Sequence, residues 1–166
     1  MNHKKEITVS FTGHREYKHF ADDALESLLR RLYAEGYRNF LCGMARGFDL
    51  AAGECVTKMR EEMPDARLVC VIPFRGQERS FSQADQARFR NLVEQADETI
   101  CLSEGYWAGA YHQRNDFLIE NASVVVAYYN GTQGGTHYTL HRAVKQGLRI
   151  FNLCQFREGE LFNNLK

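Results

Sequence analysis

SVVVAYYNGTQGGTHYT, Ser123–Thr139, is the stretch that decides the fold. It opens on a continuous apolar run, Val124–Tyr129, which reads as a strand buried on both faces. NGTQGGT follows, and Gly131, Gly134 and Gly135 remove Cβ atoms where a ligand would meet backbone. Thr136 is placed to N-cap a helix over His137–Gln146, with Gly147 closing it. Strand, glycine loop and helix N-terminus together hold a phosphate, because free N–H groups and the helix dipole point at the anion. A βα turn without a ligand has the same pattern, so both readings stand on this stretch alone.

The rest of the chain repeats the alternation. Strands are expected at Ile7–Thr12, Asn39–Cys42, Arg67–Ile72, Thr99–Leu102, Val124–Tyr129 and Arg149–Leu153. Helices are expected at Phe20–Glu35, Leu50–Met63, Gln83–Ala96 and His112–Asn121, besides the one after the glycine loop. Apolar residues Ala24, Leu25, Leu28, Leu29 and Leu32 carry the helical spacing in the first of these. Alternating strands and helices with apolar central strands argue an α/β fold, a Rossmann-like, doubly wound parallel sheet of about six strands. The expected strand order is 3-2-1-4-5-6, with the switch point between strands one and four. Residues 1–154 form one domain in this reading, and 155–166 a polar tail.

Composition narrows the function. The 166 residues carry 21 Lys+Arg and 21 Asp+Glu, so net charge argues for neither nucleic acid nor a membrane surface. No uncharged apolar run is long enough to span a bilayer. The five cysteines are odd in number, and Cys70 and Cys101 lie in apolar runs, so buried reduced thiols and a cytoplasmic location are expected. There is no CxxC or HExxH, and the pair His137 and His141 has no evident third ligand, so no metal site is expected.

In a parallel sheet every loop that follows a strand lies at the carboxyl edge, where ligands bind. Those loops carry Arg15, Arg46, Arg75, Arg79 and Arg114, besides the glycine loop. The opposite edge collects acidic residues, among them Glu35, Glu62, Asp65, Asp97 and Glu98. Guanidinium forks suit phosphate or carboxylate. Pairing with nearby Glu16, Asp49, Glu78 and Asp116 is the competing fate of these arginines.

Five segments, TGHR (Thr12–Arg15), GMARGFDLAAGE (Gly43–Glu54), PFRGQ (Pro73–Gln77), YHQRNDFLIENAS (Tyr111–Ser123) and YNGTQGGTHYT (Tyr129–Thr139), together resemble the YpsA family of the SLOG superfamily. The resemblance runs from about Ile7 to Leu153. Gly43–Asp49 also resembles the SG-x-ARGID motif of DprA, and Arg114-Asn115 its RN motif. The glycine loop is similar to the PGGxGT loop of the LOG phosphoribohydrolases. The resemblance implies a three-layer α/β fold that binds a nucleotide or nucleotide-derived ligand at the carboxyl edge, as a homodimer. On the matched motifs the ligand-binding set is Gly13, His14, Arg15, Gly43, Ala45, Arg46, Gly47, Asp49, Gln77, Arg114, Asn115, Gly131, Thr132, Gly134, Gly135 and Thr136.

Several of these residues carry two readings. Asp49 caps the helix that follows it, or also accepts a ribose hydroxyl. His14 is a ligand donor, a base, or bonded within its own turn. Tyr106, Trp107 and Tyr111 stack on a base, or anchor their loop or a dimer contact. No catalytic residue is assigned; Asp49 and Glu54 are the candidate carboxylates. LOG enzymes place a glutamate shortly after the threonine of PGGxGT, whereas Thr136 is followed by His137, Tyr138, Thr139 and Leu140. A sensor or carrier of a nucleotide-like ligand is therefore the leading reading, with N-glycosidic hydrolysis the alternative. DprA-like single-stranded nucleic-acid binding comes third, because zero net charge and the lack of Lys/Arg runs count against it.

Overall fold

The computed structural model describes residues 4–154. The expected tail at 155–166 lies outside the described residues. Strands β1 (Thr8–Gly13), β2 (Asn39–Cys42), β3 (Arg67–Ile72), β4 (Glu98–Cys101), β5 (Val124–Tyr128) and β6 (Arg149–Asn152) alternate with helices α1 (Asp22–Ala34), α2 (Phe48–Lys58), α3 (Gln83–Gln95), α4 (Ala110–Glu120) and α5 (Gly135–Lys145). The strands form one all-parallel sheet. Among the described residues no helix is long and apolar enough to cross a membrane.

The sheet order is β4-β3-β2-β1-β5-β6, which corrects the expected position of strand four. β4 extends the sheet beyond β3, and the switch point lies between β1 and β5. The reason is visible in β4 itself. Its residues Glu98–Cys101 alternate between half-buried and exposed, whereas every residue of β5 from Val124 to Ala127 is fully buried. Only an edge tolerates that polarity, and only a strand covered on both faces needs the unbroken apolar run. The same edge position exposes Cys101, so the expectation of a buried thiol fails there, while Cys42, Cys55 and Cys70 are buried.

Two layers of helix cover the sheet. Val9, Phe11, Val124 and Val126 face α1, α2 and α3 through Leu25, Leu29, Phe48, Val56 and Leu92. The alternate residues Val125 and Ala127 face Ile119 of α4 and Leu140 and Ala143 of α5. This is the period-two division of a strand between two cores. On the second face β1 presents the small buried polar residues Thr8, Ser10 and Thr12.

The expected acidic residues of the amino edge are present but paired. Glu35 meets Arg149 at 2.9 Å, Glu62 meets Arg30 at 2.6 Å, and Asp97 meets Arg60 at 3.3 Å. Exposed pairs of this kind contribute about 0–1 kcal/mol each. The sheet's stability therefore rests on the two apolar layers.

β1 ends where α2 begins, and Gly13 makes that meeting possible. A Cβ on Gly13 would lie 2.5 Å from the Phe48 Cβ and ring. Phe48 is itself fully buried and packs edge-on against Phe11. Gly13→Ala is expected to lower unfolding free energy by about 1–3 kcal/mol, the usual cost of overpacking a core. Urea denaturation measures it, and a variant as stable as the parent contradicts this packing.

Candidate functional site

At the carboxyl edge, the β1–β5 switch point opens into a cleft of about 210 Å³. It brings together Gly13, His14, Arg15, Ala45, Asp49, Arg114, Asn115, Gly134, Gly135 and Thr136 from the predicted set. Thr12, Glu16, Tyr111 and Leu118 complete the lining. Arg46 and Gln77 line an adjoining chamber, while Gly43, Gly47, Gly131 and Thr132 shape loops behind or beside the cleft. Glu54 is not brought to it, because Arg88 of α3 holds its carboxylate. Arg75 is likewise drawn away, to Glu104 at 3.0 Å.

The glycine loop is built by short-range bonds. Asn152 of β6 accepts from the Tyr129 N–H at 3.0 Å and donates to its carbonyl at 2.9 Å. Asn130 Oδ1 accepts from the Thr132 N–H at 3.1 Å and its hydroxyl at 2.8 Å. Gly134 then takes φ +147°, a conformation that favours glycine, and becomes the N-cap of α5. Helix α5 thus begins at Gly135, and Thr136 sits in its first turn rather than at the cap. No side chain caps this end. The N–H groups of the first turn have no intrahelical acceptor, and they open on the cleft beside Asn115.

His14 joins the two glycine turns. Its Nε2 accepts from the Asn130 N–H at 2.9 Å, which places the ring proton on Nδ1. Its carbonyl accepts from the N–H of Phe48 at 3.1 Å. Burial lowers its pKa, against smaller upward effects of Glu16 and Asn130. The neutral donor form of His14 is therefore the one that faces the cleft near pH 7.

The loop before α2 supplies the buried charges. Gly47, at φ +80°, is the N-cap, and a Cβ there would run into the carbonyls of Arg15 and His14. Met44 adopts φ +64°, an uncommon left-handed conformation for a side chain of its size. That turn aims the Ala45 N–H at Asp49 Oδ2, 3.2 Å away. Asp49 is thus not the N-cap: it is the second residue of α2, in the first turn, and bonds back to its own loop. Arg114, from α4, is also buried; its Nε donates to Asn115 Oδ1 at 2.8 Å and its Nη1 to the Gly43 carbonyl. A Cβ on Gly43 would press on both Arg114 Cδ, at 2.9 Å, and Asp49 Oδ2, at 3.0 Å. Tyr111 closes the mouth, with the Arg15 guanidinium 5.4 Å from its ring centroid.

Burial pushes the Asp49 carboxyl up to about 6, against the opposing attraction of Arg114. Burial likewise lowers the Arg114 pKa, and Asp49 props it up. The site therefore holds two opposite charges, Asp49 and Arg114, away from water and leaves Arg15 exposed at its rim. Among the described residues no group of three or more His, Cys, Asp or Glu is placed to hold a metal.

Thr12, Glu16, Tyr111 and Leu118 enter the cleft without belonging to the predicted set, Thr12 as the first residue of the TGHR segment. Tyr111 is legible as the first residue of the YHQRN segment, and the topology puts that segment's start at the carboxyl edge. Glu16 follows directly on TGHR. Leu118 carries no signal of its own; it lies one turn beyond Arg114.

Asp49 also sets a pH dependence. Between about pH 4 and 6 the folded state holds a proton on Asp49 that the unfolded chain has released, so stability falls as pH rises through this window. Asp49→Asn removes that contribution. Across pH 4–6.5 the parent is expected to lose about 2–3 kcal/mol more unfolding free energy than the variant. Parallel pH profiles would contradict the burial of an ionisable Asp49.

The family model described as the YspA SLOG family matches residues 3–153. A UPF0398 protein of Staphylococcus epidermidis is 27% identical over 139 residues, covering 76% of this chain and 74% of its own. Among solved structures, DNA processing protein A (DprA) of Streptococcus pneumoniae aligns with TM-score 0.65 at 16% identity, over 95% of this chain and 54% of that one. DNA processing protein A of Helicobacter pylori, described with a single-stranded DNA binding mode, aligns with TM-score 0.67 at 17% identity, over 95% of this chain and 72% of that one. This chain thus spans about half the length of the pneumococcal protein, and at these identities the likeness carries the fold alone. The match of the family model over residues 3–153 leads to one conclusion: the chain belongs to the YspA SLOG family.

Proposed function

We propose that the cleft binds a nucleotide or nucleotide-derived anion, and that the protein acts as a sensor or carrier of it. The observation that supports this reading most is a juxtaposition. The uncapped N-terminus of α5 opens on the same small cleft as His14, Arg15 and the buried Asp49–Arg114 pair. Helix N–H groups and a guanidinium suit a phosphate, and a carboxylate beside them suits a ribose hydroxyl.

The same geometry weighs against hydrolysis as the leading reading. Cleavage of an N-glycosidic bond calls for a carboxylate near the anomeric carbon. The start of α5 offers none, since Thr136 is followed by His137, Tyr138 and Thr139. Asp49 is the buried carboxylate of the cleft, and its Oδ2 is engaged by the Ala45 N–H.

Single-stranded nucleic acid is the second reading. The fold likeness to the Helicobacter protein favours it, and leans against the expectation that nucleic acid is no partner. Tyr106 and Trp107, 68% and 48% exposed, add aromatic faces near the cleft's Tyr111.

Calorimetric titration with the common nucleoside 5′-monophosphates tests the first reading. At least one is expected to bind, and Gly135→Val is expected to weaken it at least about tenfold, or 1.4 kcal/mol. A Cβ at Gly135 has only Asn115 Nδ2, at 3.8 Å, near it, so the variant should fold normally while its side chain fills the anion's place. Unchanged affinity in a folded Gly135→Val protein would remove the phosphate cradle. A mobility shift with single-stranded DNA that weakens steeply with salt, with no mononucleotide bound, would support the second reading instead.

A further inference from the structure

Beyond the cleft, on the other side of Arg15 and Tyr111, lies a second chamber of about 180 Å³. The two chambers share Arg15, Ala45 and Tyr111 as a common wall. Arg46, Gln77 and Phe81 line the far side of the second one. The first chamber alone falls below the roughly 300–1,000 Å³ of small-molecule sites, and only together with its neighbour does the space come to that range. A ligand anchored by phosphate at α5 would meet the second chamber by displacing the exposed Arg15 side chain that stands between them.

Gln77 gives the second chamber its chemistry. Gly76, at φ +89°, turns the chain after β3 into a short 3-10 segment, Gln77–Ser80. The Ser80 hydroxyl donates to the Gln77 carbonyl at 3.3 Å and steadies the turn. The Gln77 side chain is only 2% exposed, and its Oε1 accepts no hydrogen bond among the described residues. A buried acceptor without a donor is rare in a native protein and calls for a reason. Its terminal torsion is soft, so a small rotation turns the carboxamide toward a bound group. The matching partner is an N–H. Glutamine recognises bases in this way, its amide oxygen accepting from an exocyclic amino group. Tyr111 and Phe81 supply rings against which a flat heterocycle packs.

We propose that the second chamber is a base subsite and that Gln77 is its specificity-determining residue, selecting a base that carries an exocyclic amino group. The inference rests on the nucleotide reading of the first chamber. An oxo group in the same place would be met by the amide nitrogen instead and would leave the buried amide oxygen unpaired.

Paired titrations separate the two claims. Adenosine 5′-monophosphate is compared with inosine 5′-monophosphate, and cytidine 5′-monophosphate with uridine 5′-monophosphate; each pair exchanges amino for oxo and, with it, the adjacent ring nitrogen from acceptor to N–H. The amino member of the pair that binds is expected to be at least about tenfold tighter. Gln77→Leu should bring that ratio to within about threefold of unity. Gln77→Glu, which keeps an acceptor, should retain it. The wild-type ratio stands as a test even where Gln77→Leu folds poorly. Equal binding within both pairs, tighter binding of an oxo member, or a ratio that survives Gln77→Leu in folded protein would overturn the base subsite and leave the phosphate site standing. Binding of none of the four would overturn the base subsite, and failure of guanosine 5′-monophosphate as well would overturn the nucleotide reading with it.

Discussion

β5 pairs with β1 along Val9–Val124, Ser10–Val125, Phe11–Val126, Thr12–Ala127 and Gly13–Tyr128, and the rest of the site hangs on that ladder. Both strands end at the same level, so both of their turns emerge side by side. The His14 N–H continues the ladder by one more bond, to the Tyr128 carbonyl at 3.2 Å. The next bond is made by a side chain, the Asn130 N–H to the His14 ring. Helices leave the two strands on opposite faces of the sheet, so their loops part at this point and leave a crevice between them. The cleft is thus a product of strand order.

A crevice of this kind is held open by groups that cannot collapse into it. Arg114 and Asp49 serve that purpose here. Both are buried, and each spends hydrogen bonds on loop backbone, Arg114 on the Gly43 carbonyl and Asp49 on the Ala45 N–H. The Arg114 bond to the Gly43 carbonyl ties the loop before α2 to the second turn of α4. Gly43 is where that tie leaves no room for a Cβ, and at Gly47 the carbonyls of His14 and Arg15 leave none. The strained Met44 sits between them, as strained backbone often does beside a binding site.

Much of this was legible in the residues. The unbroken Val124–Ala127 run foretold a doubly covered strand, and the loops after the strands foretold which side chains meet at one edge. Two kinds of feature were not. Strand order depends on where a crossover lands, and its only local trace was the alternating polarity of Glu98–Cys101, which reads as a strand without saying where it pairs. Helix ends were the other. Thr136 has the chemistry of a cap, but Gly134 reaches a conformation that starts α5 earlier. The fate of individual charges also needed the fold. Glu54 is a candidate carboxylate in sequence, and Arg88, 34 positions away, holds it out of the cleft.

The central claim is that the two glycine turns and the start of α5 form one anion-binding surface. Amide chemical-shift mapping of the ¹⁵N-labelled protein, titrated with adenosine and cytidine 5′-monophosphates, tests it most directly. The account predicts that the largest shifts fall on Gly134, Gly135, Thr136, His14 and Arg15, with smaller ones at Ala45 and Tyr111. Shifts confined to other surfaces, such as the groove between Phe20 and Tyr128, or no shifts at millimolar nucleotide, would contradict it.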